Sequence, residues 1–304
     1  MDTIDGMRTF VTVAAQGSFS GAAEYLGMSP QLVSKYVGQL ETRLDVRLLN
    51  RSTRTLSITE AGQAYYDRCR QVLADIDEME TAVGEQTGKA RGTLHINAPM
   101  SFGFTHLGRA IAQYQRDELE VAVNLTLNDR VVDIVSEGFD LAIRIARLDE
   151  SSLIARQLAP VRLVLCGAPS YFKQRGIPET PEELAEHNCL GYTYSSDQDV
   201  WTFTRDGETH SVKINGRFSA NNGDVLRLAA MSGAGLVLQP TFIVGDDIRA
   251  GRLQRVLDDY RVEELNVYAV YPHRQYLSAK VRTFVDFLVS YFGSPPYWDV
   301  PVTR

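Results

Sequence analysis

Long apolar runs are missing from this sequence, and so are the usual markers of catalysis. No stretch approaches the roughly 20 apolar residues that a membrane-spanning helix needs, so no membrane partner is expected. The first ten residues, MDTIDGMRTF, place acidic residues where a signal peptide has basic ones, which favours a cytoplasmic protein. Motifs of the GxSxG, P-loop and GxGxxG types are absent. The sequence therefore does not predict an enzyme.

Cysteine and histidine are scarce, which argues against a metal or redox cofactor. The five histidines are scattered without the spacing of metal ligands. The three cysteines, Cys69, Cys166 and Cys189, have neither metal-ligand nor CxxC spacing. We expect reduced thiols, no metal and no cofactor.

An overall excess of basic charge is also lacking, but basic residues are concentrated in one region. The chain has 31 Lys and Arg against 38 Asp and Glu, a net charge of −7. Residues 30–58 nevertheless contain five basic and two acidic residues, whereas residues 60–87 contain two basic and seven acidic ones. A basic patch inside an acidic protein is typical of a local contact with phosphates.

The N-terminal region contains a close succession of helix starts and stops. Apolar residues recur at helical spacing over residues 3–15, and Gly17 ends this first helix. Ser18 is placed to cap a second, short helix, which Gly27 ends. The pattern predicts two helices joined by a tight turn.

A third helix begins at once with a strong start signal, Ser29 at the N-cap and Pro30 at the first helical position. Gln31, Ser34 and Lys35 are polar residues in its first turn and a half. In a helix-turn-helix, side chains near the start of the second helix meet base edges in the major groove. The sequence favours this interpretation over an ordinary three-helix bundle with a solvated third helix.

Short alternation around residues 51–59 predicts a small β ribbon after the third helix. Arg51, Thr53 and Arg54 on this ribbon are candidates for contacts with phosphate or the minor groove. The candidate DNA-binding residues are thus Ser29, Pro30, Gln31, Ser34, Lys35, Arg51, Thr53 and Arg54.

From residue 59 the apolar residues follow the seam pattern of a coiled coil. They recur every three or four residues over about three heptads, with the acidic residues off the seam. A single long exposed helix needs a partner, most simply a second copy of the chain. The candidate dimerisation residues are Tyr65, Val72, Ile76 and Met79.

After a hinge-like segment at 84–92, strand and helix patterns alternate, which predicts an α/β domain with a parallel or mixed sheet. The predicted strands are 93–97, 121–127, 140–145, 162–166, 236–238 and 265–271, and the predicted helices are 103–116, 131–137, 226–231 and 279–291. The Pro-rich tail, 293–304, is expected to be irregular.

The N-terminal motifs in combination resemble those of LysR-type transcriptional regulators. The resemblance includes the GSF turn, the recognition-helix pattern "SPQLVSKYVGQLE" and "ITEAG" at the start of the linker helix. It extends to "LNDRVVDIVSEGFDLAIRIARLDESSLIARQLA" and "AAMSGAGLVLQP", which are similar to the family's effector domain. The chain departs from many members at Met28–Gln31 and at Asn50, positions at which the choice of bases could differ.

The resemblance implies a winged helix-turn-helix, a long linker helix and a two-lobed α/β effector-binding domain similar to periplasmic binding proteins. The expected boundaries are 1–58 for the DNA-binding domain, 59–88 for the linker helix and 92–292 for the effector domain. Within the effector domain, lobe one would comprise 92–162 with 266–292, and lobe two 163–265.

An effector in such a domain would bind between the lobes, close to strand-to-helix turns. Helix N-termini attract anions, so we expect a carboxylate-bearing metabolite with Ser101 and Asn128 as hydrogen-bonding contacts. The candidate effector-binding residues are Met100, Ser101, Phe102, Asn128, Arg147, Asn221 and Asn222. Each polar residue could instead serve only as a helix cap. Arg144 and Arg147 could line the mouth of the cleft, but surface ion pairing is the commoner role for such arginines. Trp201 could wall the cleft, but packing in the core or at the surface is the commoner role for a lone tryptophan.

The family resemblance also implies the partners: double-stranded DNA with an interrupted inverted repeat, a small-molecule effector, a second copy in a dimer or tetramer, and RNA polymerase. A redox-sensing regulator of the same architecture is the alternative, because Cys166 and Cys189 fall in the same predicted lobe. The apolar surroundings of Cys166 favour a buried, inert thiol over a redox switch.

Overall fold

The computed structural model of the protein describes residues 2–51, 56–84, 89–147, 153–194, 199–262, 264–272 and 277–299. The chain forms two units. The first comprises Met1–Lys89 with Asp133–Gly138, and the second comprises Ala90–Val132 with Phe139–Arg304.

Three helices open the first unit: α1 (Thr3–Gln16), α2 (Phe19–Leu26) and α3 (Pro30–Leu44). The side chains of Asp2, Ser18 and Ser29 cap their first turns by accepting hydrogen bonds from backbone N–H groups. Helices α1 and α2 end at Gly17 and Gly27, whose φ angles of 62° and 64° are left-handed and favour glycine. The three predicted helices are confirmed.

The three helices enclose a small apolar core. Each helix contributes the apolar residues of one face, and residues at the start of the ribbon complete the core. The buried members are Phe10, Val13, Ala22, Ala23, Val33, Val37, Leu40, Leu48 and Leu49.

The predicted ribbon and linker helix follow. Strands β1 (Leu49–Arg51) and β2 (Leu56–Ile58) pair in antiparallel register, with Leu49 opposite Ile58. Helix α4 (Glu60–Gly84) then runs for 25 residues. Residues 52–55 at the tip of the ribbon, and 85–88 of the expected linker, lie outside the described residues.

The second unit alternates strands and helices. In chain order its elements are β3 (Gly92–Ala98), α5 (Met100–Phe102), a π-helical turn (Gly103–Leu107), α6 (Gly108–Asp117), β4 (Val121–Leu127), β5 (Leu141–Ala146), β6 (Leu153–Val161), β7 (Leu163–Gly167), α7 (Pro169–Arg175), a 3-10 helix (Pro181–Glu186), β8 (Gly191–Tyr192), β9 (Val200–Arg205), β10 (Glu208–Lys213), β11 (Ser219–Ala220), α8 (Gly223–Met231), β12 (Val237–Pro240), α9 (Thr241–Arg249), β13 (Gln254–Arg255), β14 (Arg261–Val262), β15 (Leu265–Pro272) and α10 (Ala279–Phe292).

The first lobe is built on a mixed five-stranded sheet of order β4-β3-β5-β15-β6. Strand β3 is parallel to β4 and β5, and β15 is antiparallel to β5 and β6. Strand β15 comes from the C-terminal part of the chain, so the sheet combines strands that precede and follow the second lobe in sequence. Its buried apolar residues form one core with those of α6 and α10.

One predicted helix of this region is absent. Residues 131–133 have no regular structure and residues 134–138 form turns. The Asp133 carboxylate caps this segment by accepting hydrogen bonds from the N–H groups of Val135 and Ser136 at 3.0 and 3.1 Å. Gly138, with a left-handed φ of 72°, ends it after a single turn.

The second lobe consists of small sheets with orders β12-β7-β13, β10-β9-β14 and β11-β8. Alternate residues of β7 serve two cores: Leu165 packs with Trp201 and Phe203, whereas Val164 and Cys166 pack towards α8 and α9. Trp201 is thus a core residue, the commoner of its two expected roles.

The segment after α10 consists of turns over the described residues, and it is not a loose tail. Trp298 is only 5% exposed and belongs to the core of the first lobe. Among the described helices, none combines the length and apolarity required to cross a membrane.

Candidate functional site

Helix α3 presents a polar face opposite its buried one. Val33, Val37 and Leu40 are fully buried, whereas Gln31 and Lys35 are exposed and Ser34 is half-buried. Residues four apart lie one above the other on a helix. The side chains of Gln31 and Lys35 therefore project together from the first half of α3.

The cap of α3 fixes where this polar face begins. The Ser29 hydroxyl accepts a hydrogen bond from the Leu32 N–H at 3.2 Å, and Pro30 occupies the first helical position. Both residues are exposed. Because Ser29 and Pro30 are exposed, the first turn of α3 is accessible to another molecule.

Exposed basic side chains accompany α3 and the loop after it. Lys35, Arg43 and Arg47 are exposed, and the Arg43 guanidinium donates a hydrogen bond to the Thr3 hydroxyl. Arg51 ends strand β1, but its side chain, Thr53 and Arg54 lie outside the described residues. Their predicted phosphate contacts stay predictions.

Glu41, which the sequence reasoning did not select, connects α3 to the ribbon. One oxygen of its carboxylate accepts hydrogen bonds from the N–H groups of Leu48 and Leu49 at 2.9 and 3.1 Å. Charge-assisted bonds of this kind are stronger than neutral ones. The "LE" pair of the recognition-helix pattern was the available signal, since Leu40 fills the core and Glu41 positions the wing.

Steric crowding explains the glycine at the end of the "ITEAG" motif. The Thr59 hydroxyl accepts a hydrogen bond from the Gly62 N–H at 2.9 Å and donates one to the Arg47 carbonyl. A Cβ at position 62 would lie 2.0 Å from the carbonyl oxygen of Leu48. Only glycine allows the first turn of α4 to approach the backbone before the ribbon this closely.

The predicted seam of α4 divides into two parts. The Tyr65 ring packs against Phe10 with centroids 5.9 Å apart, and Cys69 is buried. Burial, then the Cys69 thiol, raises the pKa of Tyr65 to about 12. Tyr65 therefore packs against the helix-turn-helix core, and its predicted part in a dimer contact stays a prediction.

Further along α4, Val72 is 42% exposed and Ile76 is half-buried. The side chain of Met79 lies outside the described residues. Val72 and Ile76 are thus available for a partner, and their role in dimerisation stays a prediction.

In the second unit, the N-terminus of α8 meets the start of α5 and the loop after β4. The Asn222 amide donates to the Ser101 hydroxyl at 3.5 Å and to the Asp129 carboxylate at 3.4 Å. The other oxygen of Asp129 accepts a hydrogen bond from the Met100 N–H at 2.8 Å. Since Asn222 belongs to the second lobe and its partners to the first, these bonds join the two lobes.

Two buried oxygens near these elements have no hydrogen-bond partner among the described residues. They are Oδ1 of Asn128 and Oγ1 of Thr241. A buried polar atom without a partner is costly and needs an explanation, and a ligand group is one. Gln239, only 3% exposed, lies in the same region, because a Cβ on Gly223 would be 2.9 Å from its side-chain oxygen.

Asp129 and Tyr192 adjoin these contacts, and neither is among the predicted effector-binding residues. Burial, followed by the charge of Asp129 and the neighbouring Tyr194, raises the pKa of Tyr192. Asp129 itself had only its position next to Asn128 as a signal. Asn221, a predicted contact, donates to the Tyr194 hydroxyl at 3.5 Å.

The remaining predicted effector-binding residues differ in how far their side chains are buried. Phe102 is fully buried between Phe242 and Trp298, so its side chain serves the core, which corrects its expected role. Met100 is 45% exposed and Arg147 is exposed. The Arg144 guanidinium donates a hydrogen bond to the Asn97 side chain at 2.7 Å and so links the neighbouring strands β5 and β3.

The cysteines are poorly placed for redox chemistry. Cys166 and Cys189 are buried, and burial raises the pKa of each thiol to about 12. Because the thiolate is the reactive form, both residues are expected to be inert. Within the part of the chain that the structure describes, no group of three or more metal-ligating side chains is found.

A winged helix-turn-helix with an exposed recognition helix, together with a two-lobed α/β domain, defines a class of ligand-controlled DNA-binding regulators. Residues 4–63 match the bacterial regulatory helix-turn-helix protein of the lysR family, and residues 87–293 match the LysR substrate binding domain.

Individual proteins give the same result. The chain is 34% identical over 281 residues to an uncharacterized HTH-type transcriptional regulator of Haemophilus influenzae, with 92% of this chain and 98% of the relative covered. It is 32% identical to the solved structure of CrgA, a LysR-type transcriptional regulator of Neisseria meningitidis, with a TM-score of 0.60 and 95% and 98% of the two chains covered. The structure of AphB of Vibrio cholerae matches with a TM-score of 0.61 at 27% identity over 95% and 99% of the chains.

The chain belongs to the LysR family of transcriptional regulators. It is a DNA-binding regulator of transcription with an effector-binding domain, and not an enzyme.

Proposed function

We propose that this regulator binds an operator through α3 and the wing, and that a small polar molecule bound between the two lobes controls it. The observation that supports the second half most directly is the meeting of Asn222 with Ser101 and Asp129 between the lobes. Two buried oxygens of this region, on Asn128 and Thr241, have no hydrogen-bond partner in the described part of the chain. Since the operator is chromosomal DNA, the protein would act in the cytoplasm.

The operator contacts follow from the exposed face of α3. Gln31 would reach a base edge in the major groove, with Ser34 beside it, and Lys35 would bind a phosphate. Arg51, Thr53 and Arg54 of the ribbon would bind phosphate or the minor groove. The exposed cap at Ser29 and Pro30 supports this docking, because it leaves the first turn accessible.

Dimerisation through α4 would place two α3 helices on the half-sites of an interrupted inverted repeat. Val72 and Ile76 are accessible on the described part of α4, and Met79 continues their spacing. Pairing of two dimers would give a tetramer. RNA polymerase would be a further protein partner of the DNA-bound regulator.

The effector would carry a carboxylate and, beside it, a hydrogen-bond donor. The first N–H groups of a helix have no partner inside the helix and favour an anion. Asp129, however, already accepts the Met100 N–H. A carboxylate next to Asp129 is repelled unless the same molecule offers a hydroxyl or ammonium group to it. Hydroxy acids and amino acids therefore fit better than simple carboxylates.

The effector would act through the relative arrangement of the lobes. A ligand shifts an equilibrium only by its difference in affinity for the two states. In the structure Asn222 bonds directly to Ser101 and Asp129. An effector that replaces these bonds would stabilise a different spacing of the lobes, and through it a different arrangement on DNA.

The experiment is a thermal-shift screen of small hydroxy acids and amino acids, followed by operator gel shifts with the compound that raises the melting temperature most. Ser101→Ala should weaken the response to that compound by about 10- to 150-fold in concentration, because one hydrogen bond to a charged ligand is worth about 1.5–3 kcal/mol. Asn128→Ala should behave similarly. Basal operator binding should persist, since the DNA-binding unit has its own core.

The matched control is the Cys166→Ser, Cys189→Ser double variant, assayed with and without reductant. It should keep the full response. If this variant loses the response and Ser101→Ala keeps it, the protein senses oxidation, and the proposed effector site between the lobes is wrong.

A further inference from the structure

An aromatic cluster lies directly beneath the cleft, and the last described residues of the chain close it. Trp298 is 5% exposed, and its ring lies 4.7 Å from His106, 5.8 Å from Phe102 and 5.5 Å from Phe292, between ring centroids. Edge-to-face aromatic pairs at such distances add to area burial. We call residues 293–299 the C-terminal clamp.

The clamp holds both ends of α9, a helix that contributes to both lobes. At the start of α9, Phe242 lies 6.2 Å from Trp298 and belongs to the first-lobe core. At its end, the Arg249 guanidinium donates to the Trp298 carbonyl at 3.3 Å. Between them, Val244 is buried in a second-lobe core. The clamp thus fixes a second-lobe helix to the first lobe.

His106 joins the same elements by hydrogen bonds. Its Nε2 lies 3.3 Å from the Phe242 carbonyl oxygen, and its Nδ1 lies 2.6 Å from the Tyr297 hydroxyl. A carbonyl only accepts, so Nε2 carries a proton. Burial lowers the pKa of His106 and favours the neutral ring, in which Nδ1 accepts from the Tyr297 hydroxyl. The ring sits in the π-helical turn, a feature frequent at functional sites.

The chain places each of two cleft residues immediately before an aromatic residue of this cluster. Ser101 precedes Phe102, and Thr241 precedes Phe242. The two phenylalanine rings meet at 5.3 Å, with an interplanar angle of 85°. A shift of either ring therefore moves the adjacent cleft hydroxyl.

We infer that Tyr297 and Trp298 are positioning residues for the effector cleft: the C-terminal clamp keeps the Ser101 and Thr241 hydroxyls at a fixed separation and thereby sets the distance between the lobes. This inference rests on the proposed function for its biological meaning. The clamp itself is defined by contacts that exist without any effector.

The test measures the distance between the lobes in the full chain, with no added ligand. Arg116 of α6 and Lys173 of α7 are exposed and would be replaced by Cys and spin-labelled, since the three native cysteines are buried. Dilution into unlabelled protein restricts pulsed electron–electron measurements to pairs within one chain. The otherwise unchanged protein should give one narrow distance distribution.

Trp298→Ala should broaden this distribution or add a second distance. Trp298→Phe should restore most of the narrow distribution, because the indole Nε1 has no hydrogen-bond partner among the described residues and only ring volume is lost. Trp201→Phe, in the separate core of the second lobe, is the matched control and should leave the distance unchanged.

A lower melting temperature of Trp298→Ala with an unchanged narrow distribution would overturn the inference, since Trp298 would then only stabilise the fold. Should Trp298→Ala fail to fold, Tyr297→Phe decides by the same measurement, because it removes only the hydroxyl that binds His106. Failure of the screen or of Ser101→Ala would remove the proposed function and leave the distance result standing, so the two failures are distinguishable.

Discussion

Gln31 and Lys35 lie one turn apart on the exposed face of α3, yet different parts of a duplex match their chemistry. A side-chain amide can pair with a base edge, and an ammonium group acts as a point charge on phosphate. The cap at Ser29 holds both in place by starting the helix just before them.

Gln31→Ala should cost about 1–3 kcal/mol at one operator position and relax base preference there. Lys35→Ala should weaken binding to all duplexes alike and reduce the salt slope by about one. Titrations of single-base operator variants at several salt concentrations measure both effects. Gln39→Ala, exposed two turns further along α3, is the control and should change neither. An unchanged base preference in Gln31→Ala would disprove its assignment.

The two halves of helix α4 differ in what they contact. Its first half packs into the helix-turn-helix core through Tyr65 and Cys69, and Gly62 brings it close to the backbone before the wing. Its second half leaves Val72 and Ile76 accessible. A helix with such an apolar stripe gains stability by packing against a partner.

Ile76→Asp should lower the dimer fraction and the operator affinity together, because a charge buried at a seam without a partner is costly. Sedimentation velocity and gel shifts measure the two quantities at matched concentrations. Ala64→Asp, at an exposed position near the start of α4, adds the same charge and should leave both unchanged. A fully dimeric Ile76→Asp protein would show that the main contact lies elsewhere.

At the scale of the whole molecule, buried neutral histidines link stability to pH. Burial lowers the pKa of His106, its bond to the Phe242 carbonyl opposes this effect, and the charges of Arg109 and Asp246 act in opposite directions. Protonation of Nδ1 would reverse the direction of its hydrogen bond with the Tyr297 hydroxyl. The folded protein therefore keeps this ring neutral to lower pH than the unfolded chain does.

The free energy of unfolding should accordingly fall as the pH drops from 7.5 to 5.5. Burial lowers the pKa of both His106 and His187, so the unfolded chain binds more protons below about pH 6.5. The stabilisation is complete above that value and is lost as pH falls through the folded pKa. Asp133, Glu182 and Asp247 have lowered pKa values, but their effect begins only at lower pH.

Urea titrations at the two pH values measure this difference. In His106→Gln the difference should shrink, by at most about 1.4 kcal/mol per pH unit for one proton. An equal loss in the wild type and in His106→Gln would show that other groups cause it.

Local sequence signals were enough to predict much of this fold. The caps at Ser18 and Ser29 and the glycines after α1 and α2 act within a few residues, so the sequence predicts these helices with little outside information. The predicted helix at 131–137 was wrong because the cap at Asp133 and the left-handed Gly138 leave room for only one turn between them, which apolar spacing does not reveal. Helix α9 and the strands β9 and β10 had no pattern strong enough to predict.

The sequence by itself determined the class of protein, the recognition helix and the turns that carry Ser101 and Asn222, because caps, periodicity and family motifs are local properties of the chain. Only the tertiary structure decided that Asn222 meets Ser101, 121 residues away, that Phe102 faces the core, and that Trp298 closes the cluster beneath the cleft. These contacts join residues from distant parts of the chain. Their formation depends on how the lobes pack, which no stretch of neighbouring residues encodes.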